Sequence, residues 1–506
     1  QEGKFLEHRA AAVPAMQQMF QSSFPEVINY ARYHKAATSI VRYVADNSEL
    51  KFEENEIYFA DSEFLDIFDV NLTKGNVSSA LNAPNKVIIS ESMANKYFGD
   101  VNPIGKRLLF NGSYAFECEV SGVMSDFKVN THLAGDFIIS LSTKVNLVPM
   151  FNIPDNWIWR SFYTYIVVKD LKNVSDLEEK INNSVSQRLG SFYEDRGYKV
   201  NYHVQRLEEI HLNSNLFEEI KQNGNSRNLK YLGFIGSFML LIAIFNYINL
   251  STAKNLKRAK EVGVRKTVGA ETSNLKVQFL LESVVVNGIA FILAVLSLWL
   301  FFELVVNFLN VTIRFTLLSN LWFWILFFLA WLTISILSGI YPAFILSGLR
   351  PVKVMSGSFK SSSGNILFRK ALVIMQVCVA LGLIIYLLAM FSQIRFMRDR
   401  ELGIDKENIL VVQGPKIKNE AYLSNLEFFK NNIEKDNDFM SMSTVSSLPG
   451  EVTGAGRDFR NQSGVSQFLR IIRVEYGFEK VFGLQVLSGN TFSADRSANN
   501  SGFKPE

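Results

Sequence analysis

The densest set of reactive groups in the chain lies in Ser251–Lys276. Lys254, Lys257, Arg258, Lys260, Arg265, Lys266 and Lys276 crowd into it, against only Glu261 and Glu271. Such groups act through charge, and a short loop rich in Lys and Arg stays on the cytoplasmic side of a membrane. Glu261 and Arg265 stand four apart, so on a helix they share a face and can pair with each other or with a partner. Gly263 and Gly269 would break or cap that short helix. On charge alone the stretch is an anchor that fixes topology.

Other constellations fall short of chemistry. Gly105-Lys106 suggests a phosphate loop, but Gly99 is too distant and Arg107 stands where Ser or Thr should meet magnesium. His132 lies between Asp126 and Asp136 with no second His or Cys at ligand spacing, so it is expected to bond to backbone in a loop. Trp157, Trp159, Phe162, Tyr163 and Tyr165 form an aromatic cluster suited to packing under a sheet, with a substrate-contact surface as the alternative. Asn246, Asn249, Glu282, Glu303 and Gln376 fall in apolar runs, where Asn and Gln bond helix to helix and an ion path would need several deep carboxylates. Cys118 and Cys378 sit in different compartments, so neither a disulfide nor a metal site is expected. No nucleophile–base pair appears, and no cofactor is implied.

The elements around these groups alternate between soluble and membrane character. A hydrophobic content of 48% with mean hydropathy +0.11 marks a mixed membrane and soluble chain of 506 residues. The net charge of +4 is slight and the basic residues concentrate beside apolar runs, which favours membrane topology over nucleic-acid binding, so no nucleic-acid partner is expected. Residues 1–230 suit an α+β domain with mostly antiparallel pairing. Its helices are Ala11–Phe20 and Ser175–Leu189, the second opened by a Ser175/Glu178 capping box. Its strands include Glu56–Ala60, Lys86–Ser90, Lys106–Phe110, Ala115–Met124, Asp136–Ser142, Phe162–Lys169 and Lys199–Gln205, with a positive-φ turn at Asn111-Gly112. Membrane spans are expected at Tyr231–Leu250, Val277–Asn310, Leu318–Leu346 and Ala371–Ile394. The second exceeds one plain crossing, so it tilts, breaks near Asn287-Gly288 or projects. Pro342 would kink the third. Arg350, Lys353, Lys360, Arg369 and Lys370 mark a second cytoplasmic loop, and Arg314 lies in an outer turn.

Two wordings resemble a known family. KRAKEVGVRKTVGA resembles the cytoplasmic loop of FtsX-like, MacB-like ABC-transporter permeases, with Glu261, Val262, Gly263, Arg265, Gly269 and Ala270 in the family's places. KYFGDVNPIGKRLLFNGSYAFECEVSGVM resembles the MacB-type periplasmic core domain through Phe98, Gly99, Pro103, Gly105, Lys106, Asn111, Gly112, Gly122 and Val123. Pro103 and Gly105 there are expected to shape a turn. Tyr341-Pro342-Ala343 and Arg350-Pro351-Val352 resemble the end of such a permease module. The resemblance implies an α-helical transmembrane bundle with extracytoplasmic α+β domains. It implies a coupling helix seated on a separate cytoplasmic ATPase, carried by Lys257, Arg258, Glu261, Val262, Gly263, Arg265, Lys266, Gly269 and Ala270. Membrane lipid, a periplasmic adaptor or outer-membrane partner, and a second permease copy are the further partners it implies. Export is the function implied, and control of a cell-wall hydrolase or sensor kinase is the alternative.

A repeat completes the reading. Within YFADSEFLDIFDVNLTKGN (58–76), residues 60–76 align without gaps on VEYGFEKVFGLQVLSGN (474–490) at a constant offset of 414, pairing Phe64 with Phe478, Phe68 with Phe482 and Gly75-Asn76 with Gly489-Asn490. The expected division is therefore an outer domain at 1–230 and a three-span module at 231–346 containing the 251–276 loop. A linker at 347–370, a fourth span at 371–394 and a second outer domain at 395–506 follow. Beginning at Gln1 and ending in polar sequence, the chain is expected to be an excised piece of a protein of roughly 800 residues with eight spans.

Overall fold

A computed structural model describes the chain apart from residues 1–7, 46–47, 129–130, 150–155, 158, 171–173, 195–199, 258, 310–319, 348–362, 401–402, 406–407, 416–420, 434, 451–455, 461–465 and 489–506. It divides into two units, Gln1–Asn225 with Glu401–Glu506, and Ser226–Arg400.

In the first unit, helices α1 (Met16–Ser23), α2 (Glu63–Ile67), α3 (Val77–Ala80), α4 (Glu91–Phe98), α5 (Leu141–Leu147), α6 (Val174–Glu194) and α7 (Leu207–Asn213) surround a ten-stranded sheet. Its strands are β1 (Val27–Lys35), β2 (Ser39–Ala45), β3 (Ser48–Glu54), β4 (Ile57–Ala60), β5 (Leu72–Gly75), β6 (Lys86–Ser90), β7 (Arg107–Asn111), β8 (Ala115–Met124), β9 (Phe137–Ser140) and β10 (Tyr163–Val168). They run in the order β10-β1-β4-β9-β6-β8-β7-β2-β3, with β5 on β8. Among the described residues β4–β9 and β6–β8 are parallel and the other pairs antiparallel. The fold is α+β.

Three apolar runs fix the centre. β4, β6 and β9 are buried along nearly their whole length, as strands covered on both faces must be. Alternation sends Ile57, Phe59, Val87, Ile89, Phe137 and Ile139 to one core, where α4 contributes Tyr97. Tyr58, Ile88 and Ile138 enter the other, against Tyr33 of β1 and Phe64 of α2. A third core joins α1 to α6 through Met19, Phe20, Leu177, Ile181 and Val185.

Several expectations change here. Residues 200–205 form no strand. Helix α6 begins at Val174, so no Ser175/Glu178 box opens it. Glu178 instead accepts from Val204 N at 3.0 Å and meets His203 Nδ1 at 2.9 Å, fastening the 200–205 segment to α6. The β7–β8 hairpin forms, but Asn111 and Gly112 keep negative φ. Gly112 leaves room for the Ser39 hydroxyl, which a Cβ there would displace. The aromatic cluster is dispersed: Phe162 joins the first core, Tyr163 and Tyr165 line the second, and Trp157 the third. His132 bonds to the Tyr165 hydroxyl at 2.9 Å rather than to backbone. Burial lowers its pKa. At the Pro103 turn, Gly105 takes φ +80° and Lys106 N bonds to Pro103 O at 3.0 Å.

The repeat has a structural counterpart. In the 401–506 part, α13 (Tyr422–Ile433) precedes a bridge between Val445 and Val474, then the turn of helix α14 (Phe478–Val481). Likewise α1 precedes the β1–β4 pair and then α2. Hydrogen bonds coincide at the offset of 414: Phe68 N→Phe64 O (3.2 Å) matches Phe482 N→Phe478 O (3.1 Å), and Val70 N→Leu65 O (2.9 Å) matches Leu484 N→Glu479 O (2.8 Å). Asp69 and Gly483 both take positive φ, 48° and 61°. Both Phe pairs have centroids 4.8 Å apart, at interplanar angles of 46° and 47°. Gly75 and Asn76 end β5 and cap α3, while Gly489-Asn490 lies outside the described residues.

The second unit contains α8 (Ser226–Lys257), α9 (Ala259–Thr267), α10 (Thr272–Leu309), α11 (Leu321–Ser347) and α12 (Ser363–Asp399). All but α9 are long and apolar enough to cross a membrane. Helix α10 has 38 residues and does not break at Asn287-Gly288. Those residues join α10 to α11 instead: Asn287 Nδ2 donates to Ser338 Oγ at 3.0 Å, and Gly288 lies under the Trp331 ring. Tyr247 of α8 donates to Ser283 Oγ of α10 at 2.9 Å, closing a buried polar seam among the three helices. Asn246 faces outward and Asn249 Oδ1 has no hydrogen bond, so Asn287, Ser283, Ser338 and Tyr247 do the joining expected of the two asparagines. Most of the second basic loop, and Arg314, lie outside the described residues.

Candidate functional site

Helix α9 is closed at its C-terminal end and held from beneath. Its last turn closes with Gly269 at φ +101°, Gly269 N on Lys266 O (3.2 Å) and Ala270 N on Arg265 O (3.0 Å). That paired pattern terminates a helix where a residue without Cβ takes the left-handed region. Val262 of α9 packs with Leu275 and Phe279 of α10 and Ala343 of α11, a small core under the helix. Lys276 Nζ stands 4.3 Å from the centre of the Phe344 ring, tying the start of α10 to the end of α11.

Charge decorates the open side. Arg265 Nη2 meets Glu261 Oε1 at 2.6 Å, and Arg265 Nη1 donates to Gln278 Oε1 of α10 at 3.1 Å. Both members of the ion pair are about half exposed, so it contributes only about 0.3–0.5 kcal/mol and leaves both groups available to a partner. Val264 is 45% exposed and Val268 84%. Glu261, Val264, Arg265 and Val268 thus form one outward stripe, spaced three and four apart.

The sequence-derived residues divide accordingly. Glu261, Arg265, Lys266, Gly269 and Ala270 lie on or beside the open face. Val262 packs toward α10 and α11, and Gly263 beside it is also buried. Arg258 lies outside the described residues, as does the Lys257 side chain. Sequence reasoning passed over Val264 and Val268; their recurrence beside Glu261 and Arg265 was the available signal. Glu282 and Glu303 are exposed on α10.

Residues 7–184 match the family model of the MacB-like periplasmic core domain, and residues 233–351 that of the FtsX-like permease C-terminal region. The chain belongs to the FtsX-like, MacB-like family of ABC transporter permeases. The permease is 27% identical over 266 residues to the ABC transporter permease YknZ of Bacillus subtilis (strain 168), covering 51% of this chain and 56% of that one. It is 25% identical over 250 residues to the macrolide export ATP-binding/permease protein MacB of Aggregatibacter actinomycetemcomitans, covering 48% of this chain and 35% of that one. The permease therefore spans about half the length of YknZ and a third of MacB. A solved permease domain from Porphyromonas gingivalis overlaps 40% of this chain and 82% of its own, with 24% identity and a TM-score of 0.32. With four spanning helices and a periplasmic core domain, the permease is a multi-pass membrane protein with a large extracytoplasmic part.

Proposed function

We propose that this permease is the membrane subunit of an exporter, and that α9 seats a separate cytoplasmic ATPase whose hydrolysis cycle moves the extracytoplasmic domains. The observation that carries the reading is the construction of α9. It is a short charged helix stapled to α10 and α11 by Val262, Leu275, Phe279 and Ala343, with Glu261, Val264, Arg265 and Val268 turned outward. A push on that stripe enters two spanning helices that are themselves joined by the Asn287–Ser338 bond. Relatives named as an ABC transporter permease and as export ATP-binding/permease proteins support coupling of this permease to an ATP-binding unit.

The proposal divides the chain as 1–230, 231–346, 347–370, 371–394 and 395–506, in the roles of outer domain, three-span module, linker, fourth span and second outer domain. A second permease copy and a periplasmic adaptor or outer-membrane partner would complete the assembly. Arg265→Glu tests the central step. It puts a second acid beside Glu261, and opposing charge at a buried contact costs about 2–5 kcal/mol. Co-purification of the ATPase should fall sharply while the permease still accumulates in the membrane, since the loop's other cations keep it inside. Undiminished ATPase binding would leave α9 as a topology anchor.

A further inference from the structure

The segment 214–225 leads from the sheet-bearing part of the first unit to α8, and it is fastened along its length. Phe217 N donates to His8 O at 2.8 Å and Ala10 N to Phe217 O at 3.0 Å, so the segment pairs with residues 8–10. Glu218 takes φ +61°. A residue with a Cβ keeps that left-handed conformation only where its surroundings impose it. Arg9 Nη1 meets the Glu218 carboxylate at 3.1 Å, with 15% of the Arg9 side chain exposed. Tyr163 Oη donates to Glu218 O at 2.6 Å. Glu219 accepts from Leu216 N at 3.1 Å, Ile220 packs against the second core, and Gly224 lies close to His211 and Leu212 of α7.

The 401–506 part reaches the same point. Its hairpin pairs β11 (Gly456–Arg460) with β12 (Ser466–Arg470). The Arg470 guanidinium at the end of β12 lies 4.3 Å from the centre of the Phe217 ring, and that of Arg9 lies 4.9 Å from it. Both are within the range at which a cation is drawn to an aromatic ring. One ring on the way to α8 therefore holds the sheet-bearing part and the 401–506 part together.

We propose that Phe217 and the strained Glu218 form a transmission joint, through which motion of α8 reaches both extracytoplasmic parts at once. The source of that motion rests on the reading of α9 as an ATPase seat, whereas the joint is a property of the permease alone.

Hydrogen–deuterium exchange on the full chain in nanodiscs, without any ATPase, tests the joint. Wild type should protect residues 8–12, 214–221 and 466–470. F217L keeps an apolar side chain but removes the ring, and each lost cation contact quickens local opening about two- to fivefold. Exchange should rise about five- to thirtyfold in 8–12 and 214–221, about two- to fivefold in 466–470, and not at all in β6 and β8. R470Q should quicken 214–221 about two- to fivefold, and R470K, which keeps the cation, should restore most of the protection. If F217L does not accumulate, the R470Q and R470K pair decides, since Arg470 is exposed. Unchanged exchange in 214–221 with R470Q, or in 466–470 with F217L, would overturn the joint. That failure would leave the α9 reading intact, and an α9 that binds no ATPase would leave the exchange result standing.

Discussion

Gly339→Ala should loosen the seam that joins the spanning helices. A Cβ on Gly339 of α11 would lie 2.9 Å from both Cβ and Oγ of Ser283 and 3.1 Å from Leu280 Cδ2. The Ser283 Cβ is fixed to the α10 backbone, so rotating a side chain cannot relieve the overlap and the helices must separate. Overpacking of this kind costs about 1–3 kcal/mol. Separation also strains the Tyr247–Ser283 bond, one of the interhelical bonds that average about 0.6 kcal/mol in membranes. The expected total is therefore about 2–3 kcal/mol, read from denaturant unfolding of the purified permease. Ser283→Gly makes room opposite, so G339A/S283G should lose clearly less than the sum of the two single changes. A G339A protein as stable as wild type, or strictly additive losses, would refute the packing argument.

The remaining predictions concern pH and topology. His34 is held with a pKa of about 4 by burial, its Nδ1–H bonded to Ser161 O at 2.8 Å and its ring stacked on Phe162. Its neutral form is favoured in the fold, so stability present above pH ~6.5 falls toward pH 4, by up to about 3 kcal/mol. H34F should flatten that acid limb in fluorescence-monitored unfolding, and an unchanged limb would remove His34 as its source. Single cysteines at Asn76 and Lys260 should label oppositely with an impermeant thiol reagent on intact cells, and outside labelling of both would invert the placement of α9.

What could be read from sequence followed how strongly one pattern dominated. β6 is legible as a short apolar run and β8 as an apolar alternation, each flanked by turn residues, and the spans because charge disappears over long runs. β3, SELKFEE, is not legible: it is an edge strand whose partners are set by β2, and its composition is that of a loop. The stretch around Val200 is apolar enough for a strand, yet Glu178 and Asn182 of α6 take its backbone bonds instead. At α9 the charges and glycines were legible, but the inward and outward faces were not. Those depend on where α10 and α11 place Leu275, Phe279 and Ala343, which no local pattern encodes.

Photocrosslinking from α9 tests the coupling role most directly. A photoreactive residue at Val264 or Val268, on the exposed stripe, should capture a cytoplasmic protein bearing a phosphate-loop ATPase sequence in intact cells. The same residue at Val262, which is 4% exposed, should capture little. If no α9 position captures an ATPase, or Val262 captures it as well as Val268 does, the outward stripe is not the seat and the coupling account fails.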